Sequence, residues 1–276
     1  MKLVVLSDNQ AMNDLLESEH GLCVYLETEQ YKCLLDTGAS DIFIRNAEKL
    51  AIDLSDVDYV FISHGHADHI GGLLAFLQIN RKAKVVLSKN AVGQSFFSKR
   101  SGLHRINTDL NLSFFADRLI YVTTKTFFKN EICVFPVEMN KYPLPKANAI
   151  LYKSSGNGLE SDDFNHELVI TFGLDNLVVY TGCAHKGLLN ILGSVSLFSS
   201  KQISCVIGGF HLLDSKNSLQ FETPEEIDFI AQELIKKYPQ TTFITGHCTG
   251  KNVYELMKHQ LGCHLKSFYA GYSLIV

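Results

Sequence analysis

The chain has 276 residues, is 46% hydrophobic and carries a formal net charge of −4, so it can bury a large core. It has no basic run suited to nucleic-acid phosphates, and "MKLVVLSDNQ" has too few consecutive apolar residues for a signal peptide or membrane span. The expectation is a cytoplasmic protein with a small-molecule substrate, no nucleic-acid or membrane partner, and homo-oligomerisation left open.

Short apolar runs bounded by turn residues predict strands at 3–6, 22–27, 31–35, 59–63, 84–87, 119–123, 132–137, 168–172, 177–180, 203–207, 242–245 and 266–275. "TEQ" at 28–30 and "GLDN" at 173–176 predict two hairpins. Helices are expected at about 72–78, 186–192, 224–237 and 252–259. The helix at 224–237 has the fullest signature. Thr223 and Glu226 form a capping box, Pro224 takes the first helical position, and Ile227, Ile230, Ala231 and Leu234 make the buried stripe. The stretch at about 88–165 is rich in Ser, Gly and Asn and reads as a loop-rich insertion shaping a pocket mouth within a single domain, 1–276. Interleaved strands and helices suit an α+β arrangement, with two sheets face to face and helices outside.

Chemistry concentrates in "FISHGHADHIGGL", 61–73. His64 and His66 lie two apart in an extended segment and point the same way, so they can share one metal ion. Asp68 and His69 fall where the chain turns and can face a second ion. Gly71 and Gly72 allow a tight turn and close backbone approach. Imidazole and carboxylate ligands suit zinc first, with manganese or iron as alternatives. Seven scattered cysteines without a CxxC pair read as reduced and mostly structural.

The HxHxDH pattern of His64, His66, Asp68 and His69 resembles the signature of the metallo-β-lactamase superfamily. "LLDTG" at 34–38 resembles the strand and turn ahead of that signature, and "VVYTGCAHKG" at 178–187 and "FITGHCTG" at 243–250 resemble its later site-bearing segments. With "SEHGLCVYLE", "NHELVI" and "IGGFHL", they resemble one branch, named after 7,8-dihydropterin-6-methyl-4-(β-D-ribofuranosyl)aminobenzene-5'-phosphate synthase. The resemblance implies an αββα four-layer sandwich of two mixed β-sheets with a binuclear site at one edge. It implies that Asp36 orients ligands from behind, and that His185 completes a first site with His64 and His66, with His166 as the rival for that post. It implies that His247 joins Asp68 and His69 at the second. Cys183 stands where many relatives carry a bridging aspartate, and it is either a thiolate ligand or a buried structural cysteine.

Other residues carry weaker signals. His211, after two glycines at a strand end, and His20, just before a strand, are candidates to face substrate. His104, His259 and His264 lack such context. "GHCTGKN" leads into a helix whose free N–H groups, with Thr249 and Lys251, are candidates to hold a phosphate. The expected function is a metal-dependent hydrolase that activates water at two divalent ions, with Asp68 also steering the nucleophile. The expected substrate is a small ester or phosphodiester, phosphorylated or not. The alternatives are a pterin/aryl-ribose-phosphate synthase-like transferase, with Phe96, Phe97 or Tyr142 lining a pterin pocket, and an iron-binding redox or non-catalytic metal module.

Overall fold

A computed structural model describes residues 1–156, 158–216 and 218–276. Numbered along the chain, the strands are β1 (Lys2–Ser7), β2 (Cys23–Glu27), β3 (Lys32–Leu35), β4 (Tyr59–Phe61), β5 (Lys84–Leu87), β6 (Phe96–Ser98), β7 (His104–Arg105), β8 (Leu119–Tyr121), β9 (Thr126–Phe128), β10 (Ile132–Pro136), β11 (Leu151–Ser155), β12 (Gly158–Ser161), β13 (Leu168–Phe172), β14 (Asn176–Tyr180), β15 (Gln202–Ile207), β16 (Thr242–Thr245), β17 (Leu265–Ser267) and β18 (Ser273–Ile275). The α-helices are α1 (Ile42–Lys49), α2 (Ala67–Ile70), α3 (Leu73–Ile79), α4 (Leu188–Phe198), α5 (Pro224–Lys237) and α6 (Lys251–Leu261).

Two mixed sheets form the centre. The first runs β18-β1-β2-β3-β4-β5-β8 and the second β17-β16-β15-β14-β13-β10-β9. In each, an antiparallel meander feeds a parallel half: β3, β4, β5 and β8 in the first, β14 to β17 in the second. Strands buried on both faces read as unbroken apolar runs, which is why "LVVL" and "LVIT" lack polar alternation.

Three apolar layers follow. Phe61, Val24 and Leu35 of the first sheet meet Ile170, Val178 and Tyr180 of the second between the sheets. Phe43, Leu73 and Phe76 from α1 and α3 cover the outer face of the first sheet. Leu188, Ile191, Ile227, Ala231 and Met257 from α4, α5 and α6 cover the second. The result is the αββα sandwich. Helix α5 begins with the full capping box between Thr223 and Glu226, with Pro224 in its first turn.

Three expectations about elements need correction. The run at 266–275 is two strands on different sheets. β17 pairs with β16 and β18 pairs with β1, and a turn through Gly271, at φ 94°, carries the chain across. The stretch at 88–165 is loop-rich, yet it is not loop alone. It supplies β8 to the first sheet, β9 and β10 to the second, and a small sheet of its own ordered β12-β11-β6-β7. The helix expected at 186–192 runs on to Phe198. Among the described residues, no helix is long and apolar enough to cross a membrane.

Candidate metal centre

The parallel strands of both sheets end at the same edge, and the chemistry-bearing loops leave from those ends. β3 leads to Asp36, β4 to His64–His69, β14 to Cys183 and His185, β15 to His211, and β16 to His247 and Cys248. This is where ligand sites of parallel sheets form. His66 is extended (φ −74°, ψ 146°) and caps α2, so Asp68 and His69 lie in the first helical turn. Gly71 and Gly72 have ordinary negative φ, so what they supply is space. A β-carbon on Gly71 would lie 2.3 Å from the Ala39 carbonyl oxygen, and one on Gly72 the same distance from those of Thr37 and Ser40. That closeness locks the histidine loop onto the segment carrying Asp36.

Asp36 is fully buried and controls two rings. Its Oδ1 accepts the Ser63 backbone N–H at 2.7 Å. Its Oδ2 meets Ser63 Oγ, the Tyr180 hydroxyl and His69 Nδ1, each at 2.6 Å. A carboxylate only accepts, so the proton of His69 sits on Nδ1 and the Nε2 lone pair faces forward. The single proton of Ser63 also goes to Asp36. Ser63 Oγ therefore accepts from His64 Nδ1, 2.9 Å away, and the Nε2 lone pair of His64 is freed as well. Asn148 does the same for His185. Its Oδ1 lies 3.2 Å from His185 Nδ1, and its amide nitrogen donates to the His185 carbonyl at 2.8 Å.

Two groups of donors result. The rings of His64, His66 and His185 stand 4.6–5.0 Å apart, centroid to centroid. The Nε2 atoms of all three are buried without a hydrogen-bond partner. Such orphaned lone pairs are costly in a dry interior unless something binds them. Beside this group, His69 Nε2 lies 3.1 Å from both Cys183 Sγ and His247 Nε2. Asp68 Oδ2 lies 3.3 Å from His247 Nε2 and 3.8 Å from His69 Nε2. Cys183 belongs to both groups: its sulfur falls within 4.8 Å of donor atoms of His64 and His185, and of His69 and His247. The orphaned nitrogens and the imidazole, carboxylate and thiol donors fit divalent metal.

Electrostatics support this fit at His64 and His185, whereas His247 carries a proton that it would have to release to bind an ion. Burial, then crowding by the other rings, pushes His64 and His185 well below the ordinary imidazole range and keeps them neutral, the form that binds metal. Burial opposes charge on Asp68, yet His69 and His247 hold its carboxyl well below the usual carboxylate range. Burial likewise opposes charge on His247, but Asp68 and Cys248 outweigh it and raise the ring to about 9.

Several expected residues play other parts. His166 Nδ1 accepts the Gly65 N–H at 3.0 Å and its Nε2 meets Asp162 at 3.1 Å. Both ring nitrogens of His166 are engaged, and it is the His185 ring, with its Nε2 unpartnered, that stands with those of His64 and His66. The phosphate cradle expected at the start of α6 is already filled by an anion. Asp214 Oδ1 accepts from the backbone of Asn252 at 3.0 Å and Val253 at 3.2 Å. Thr249 lines the cleft, with its Oγ1 bonded to Thr245 and to the Phe210 N–H, whereas Lys251 does not line it. Nor do Phe96, Phe97 or Tyr142: Phe96 is buried against His166, and Tyr142 bonds Glu233 on the far face.

A cleft of about 580 Å³ opens over the centre, lined by His66, Asp68, Cys183, His185, His211 and His247 among others. His20 stacks on His247 at 5.0 Å and reaches Asp68 at 3.4 Å, so it faces the cleft as expected. His104, with Arg100 and Arg105, lies on the rim, a placement its sequence context did not suggest. Sequence reasoning also missed Ser63, Tyr180, Asn148, Asp162 and Glu167. Glu167 is buried and accepts the backbone N–H groups of His185 and Lys186 at 2.6 and 2.8 Å, and burial raises its carboxyl to about 8. Asp36, His211 and His247 hold left-handed backbone (φ 58°, 50° and 53°), a concentration of strain usual at functional sites.

The fold and this centre define the class: the chain belongs to the metallo-β-lactamase superfamily. The superfamily's sequence model matches residues 18–122. The solved structure of Tm1679, described as a metal-dependent hydrolase of the β-lactamase superfamily, is 30% identical with a TM-score of 0.83, covering 100% of this chain and 99% of that one. A curated relative from Methanocaldococcus jannaschii is 24% identical over 98% of this chain and 95% of its own length. It is named 7,8-dihydropterin-6-methyl-4-(β-D-ribofuranosyl)-aminobenzene-5'-phosphate synthase. A diphosphatase of the PhnP family shares the fold at 15% identity and a TM-score of 0.53, covering 100% of this chain and 97% of that one.

Proposed function

We propose that this protein is a hydrolase that uses two divalent metal ions, zinc by the donor set, on a small ester or phosphodiester. The observation that carries the reading is the convergence of His64, His66 and His185 on one side of Cys183, and of Asp68, His69 and His247 on the other. Those residues would hold the ions. When bound, divalent metal supplies Lewis acidity, which makes water a nucleophile near neutral pH and offsets the negative charge that builds in the transition state.

The chain's own residues do the rest. Asp36, through Ser63 and directly, holds the lone pairs of His64 and His69 forward. Asp68 lies at the cleft floor, where its second oxygen can orient a water or take its proton. His20 sits beside it, its Nδ1 held by Asn9 Oδ1 at 3.1 Å and its Nε2 turned to the cleft. Arg100, His104 and Arg105 on the rim suit an anionic substrate such as a phosphate ester. A test is metal content with a phosphodiesterase, esterase and lactonase screen of wild type against His66→Ala. We expect metal loss and at least a roughly 100-fold fall in hydrolysis. Full metal and full activity in the variant would overturn the reading.

A second reading is a synthase joining a pterin to an aryl-ribose phosphate. It is favoured by the near full-length similarity to the Methanocaldococcus jannaschii synthase. Product analysis separates the two, because a synthase forms a new bond and releases pyrophosphate, whereas a hydrolase consumes water.

A further inference from the structure

Cys248 and His211 are the strongest group of metal-ligating side chains that the two-ion reading leaves unused. We propose that, together with Cys183, they form a third cation site, selective for a soft divalent ion such as zinc or cadmium. The three donor atoms lie within 4.8 Å of one another. In tetrahedral zinc coordination, ligand atoms stand about 3.4–3.8 Å apart, so side-chain shifts of about 1 Å would close the site.

All three side chains are buried: Cys183 is 3% exposed, and His211 and Cys248 are 7%. Neither ring nitrogen of His211 has a hydrogen-bond partner, which is unusual for a buried imidazole and leaves a lone pair beside two sulfurs. The His211 backbone N–H donates to Cys248 Sγ at 3.3 Å, and that sulfur lies 3.7 Å from the Cys183 carbonyl oxygen, which fixes it between the other two residues. Gly209 keeps the space open, since a β-carbon there would lie 2.3 Å from Cys248 Sγ. All three residues line the cleft, so an ion can enter from solvent. Two sulfurs and one imidazole are a softer set than either neighbouring group and select against magnesium and calcium. On binding, each thiol releases its proton to solvent and the metal takes the sulfur lone pair, with no change of oxidation state.

The site rests on the two-ion reading only in sharing Cys183. The test is a cadmium titration of metal-free protein, reading bound ions per chain and the ultraviolet thiolate-to-cadmium charge-transfer band. Wild type is expected to bind about one ion more than either Cys248→Ala or His211→Gln, and Cys248→Ala to lose about half of the charge-transfer intensity. The difference of one ion tests this site, while the number remaining in the variants tests the two-ion reading. Equal stoichiometry in wild type and both variants would overturn the third site. Should one variant fail to fold, the other carries the test.

Discussion

Asp36 is the residue on which both metal groups depend, because a single carboxylate fixes the tautomers of His64 and His69. Asp36→Asn keeps the shape but presents an amide that can turn a donor toward His69. We expect zinc affinity to fall about 10–100-fold, measured by competition with a chromophoric chelator. Tyr180→Phe removes one of three donors to the same oxygen and should cost only about 1 kcal/mol in stability, read by urea unfolding. Unchanged zinc affinity in Asp36→Asn would mean that the carboxylate does not set the ligands. The division between what the sequence revealed and what it hid follows from chemistry. Histidines packed at 64, 66 and 69 stand out because imidazoles are costly to crowd without a ligand. Tyr180 at the end of "VVY" looks like any core aromatic, and its hydroxyl acquires a role only when the second sheet packs on the first and brings it to Asp36 at the end of β3. Asp162 lies in a run of Ser, Gly and Asp that reads as solvated loop, yet it is buried beside His66, which comes from a distant part of the chain, and bonds its near neighbour His166.

Elements were legible where their signals were local. Helix α5 has its capping box, and β13 and β14 have the turn between them. The small sheet of β6, β7, β11 and β12 was not, because its strands are only two to five residues long and its central pairing joins Phe96–Ser98 to the distant Leu151–Lys153. Helix α1 also went unread, and tertiary ion pairs support it. Glu17 from the preceding segment meets Arg45 at 2.7 Å and Lys49 at 2.9 Å. Hydrogen bonds from Arg45, then Lys49, lower the Glu17 carboxyl from 4.5 to about 2. A depressed carboxyl stabilises the folded state above its unfolded value and loses that contribution as pH falls through the folded one. Wild type should therefore lose stability relative to Glu17→Gln between about pH 4.5 and pH 2, with the difference shrinking in high salt. Parallel pH profiles of the two melting temperatures would show that the clamp contributes nothing. At the start of α6, Asp214→Ala removes the carboxylate that accepts from Asn252 and Val253, and should cost about 0.5–2 kcal/mol in denaturant unfolding.

At the scale of the whole molecule, the centre bridges the two sheets. His64, His66, Asp68 and His69 follow β4 of the first sheet, whereas Cys183, His185 and His247 follow β14 and β16 of the second. Ions held by both groups would favour only the folded arrangement, so metal binding and sheet-to-sheet packing are linked. At a zinc concentration about 100 times Kd, this linkage stabilises the fold by about 2.7 kcal/mol. For a chain of this size that is a rise in Tm of roughly 5–10 °C. The sheets are also joined without metal: Phe61 of β4 packs edge-on against Phe128 and Phe172 of the second sheet, at 5.7 and 5.8 Å. Phe61→Ala should cost about 3–5 kcal/mol through the cavity it leaves. The two contributions separate experimentally. Phe61→Ala should melt lower than wild type yet keep the zinc-induced rise, because its ligands are intact. His66→Ala should melt near metal-free wild type and lose most of that rise. An equal zinc-induced rise in His66→Ala and wild type would place the stabilising ion elsewhere on the molecule.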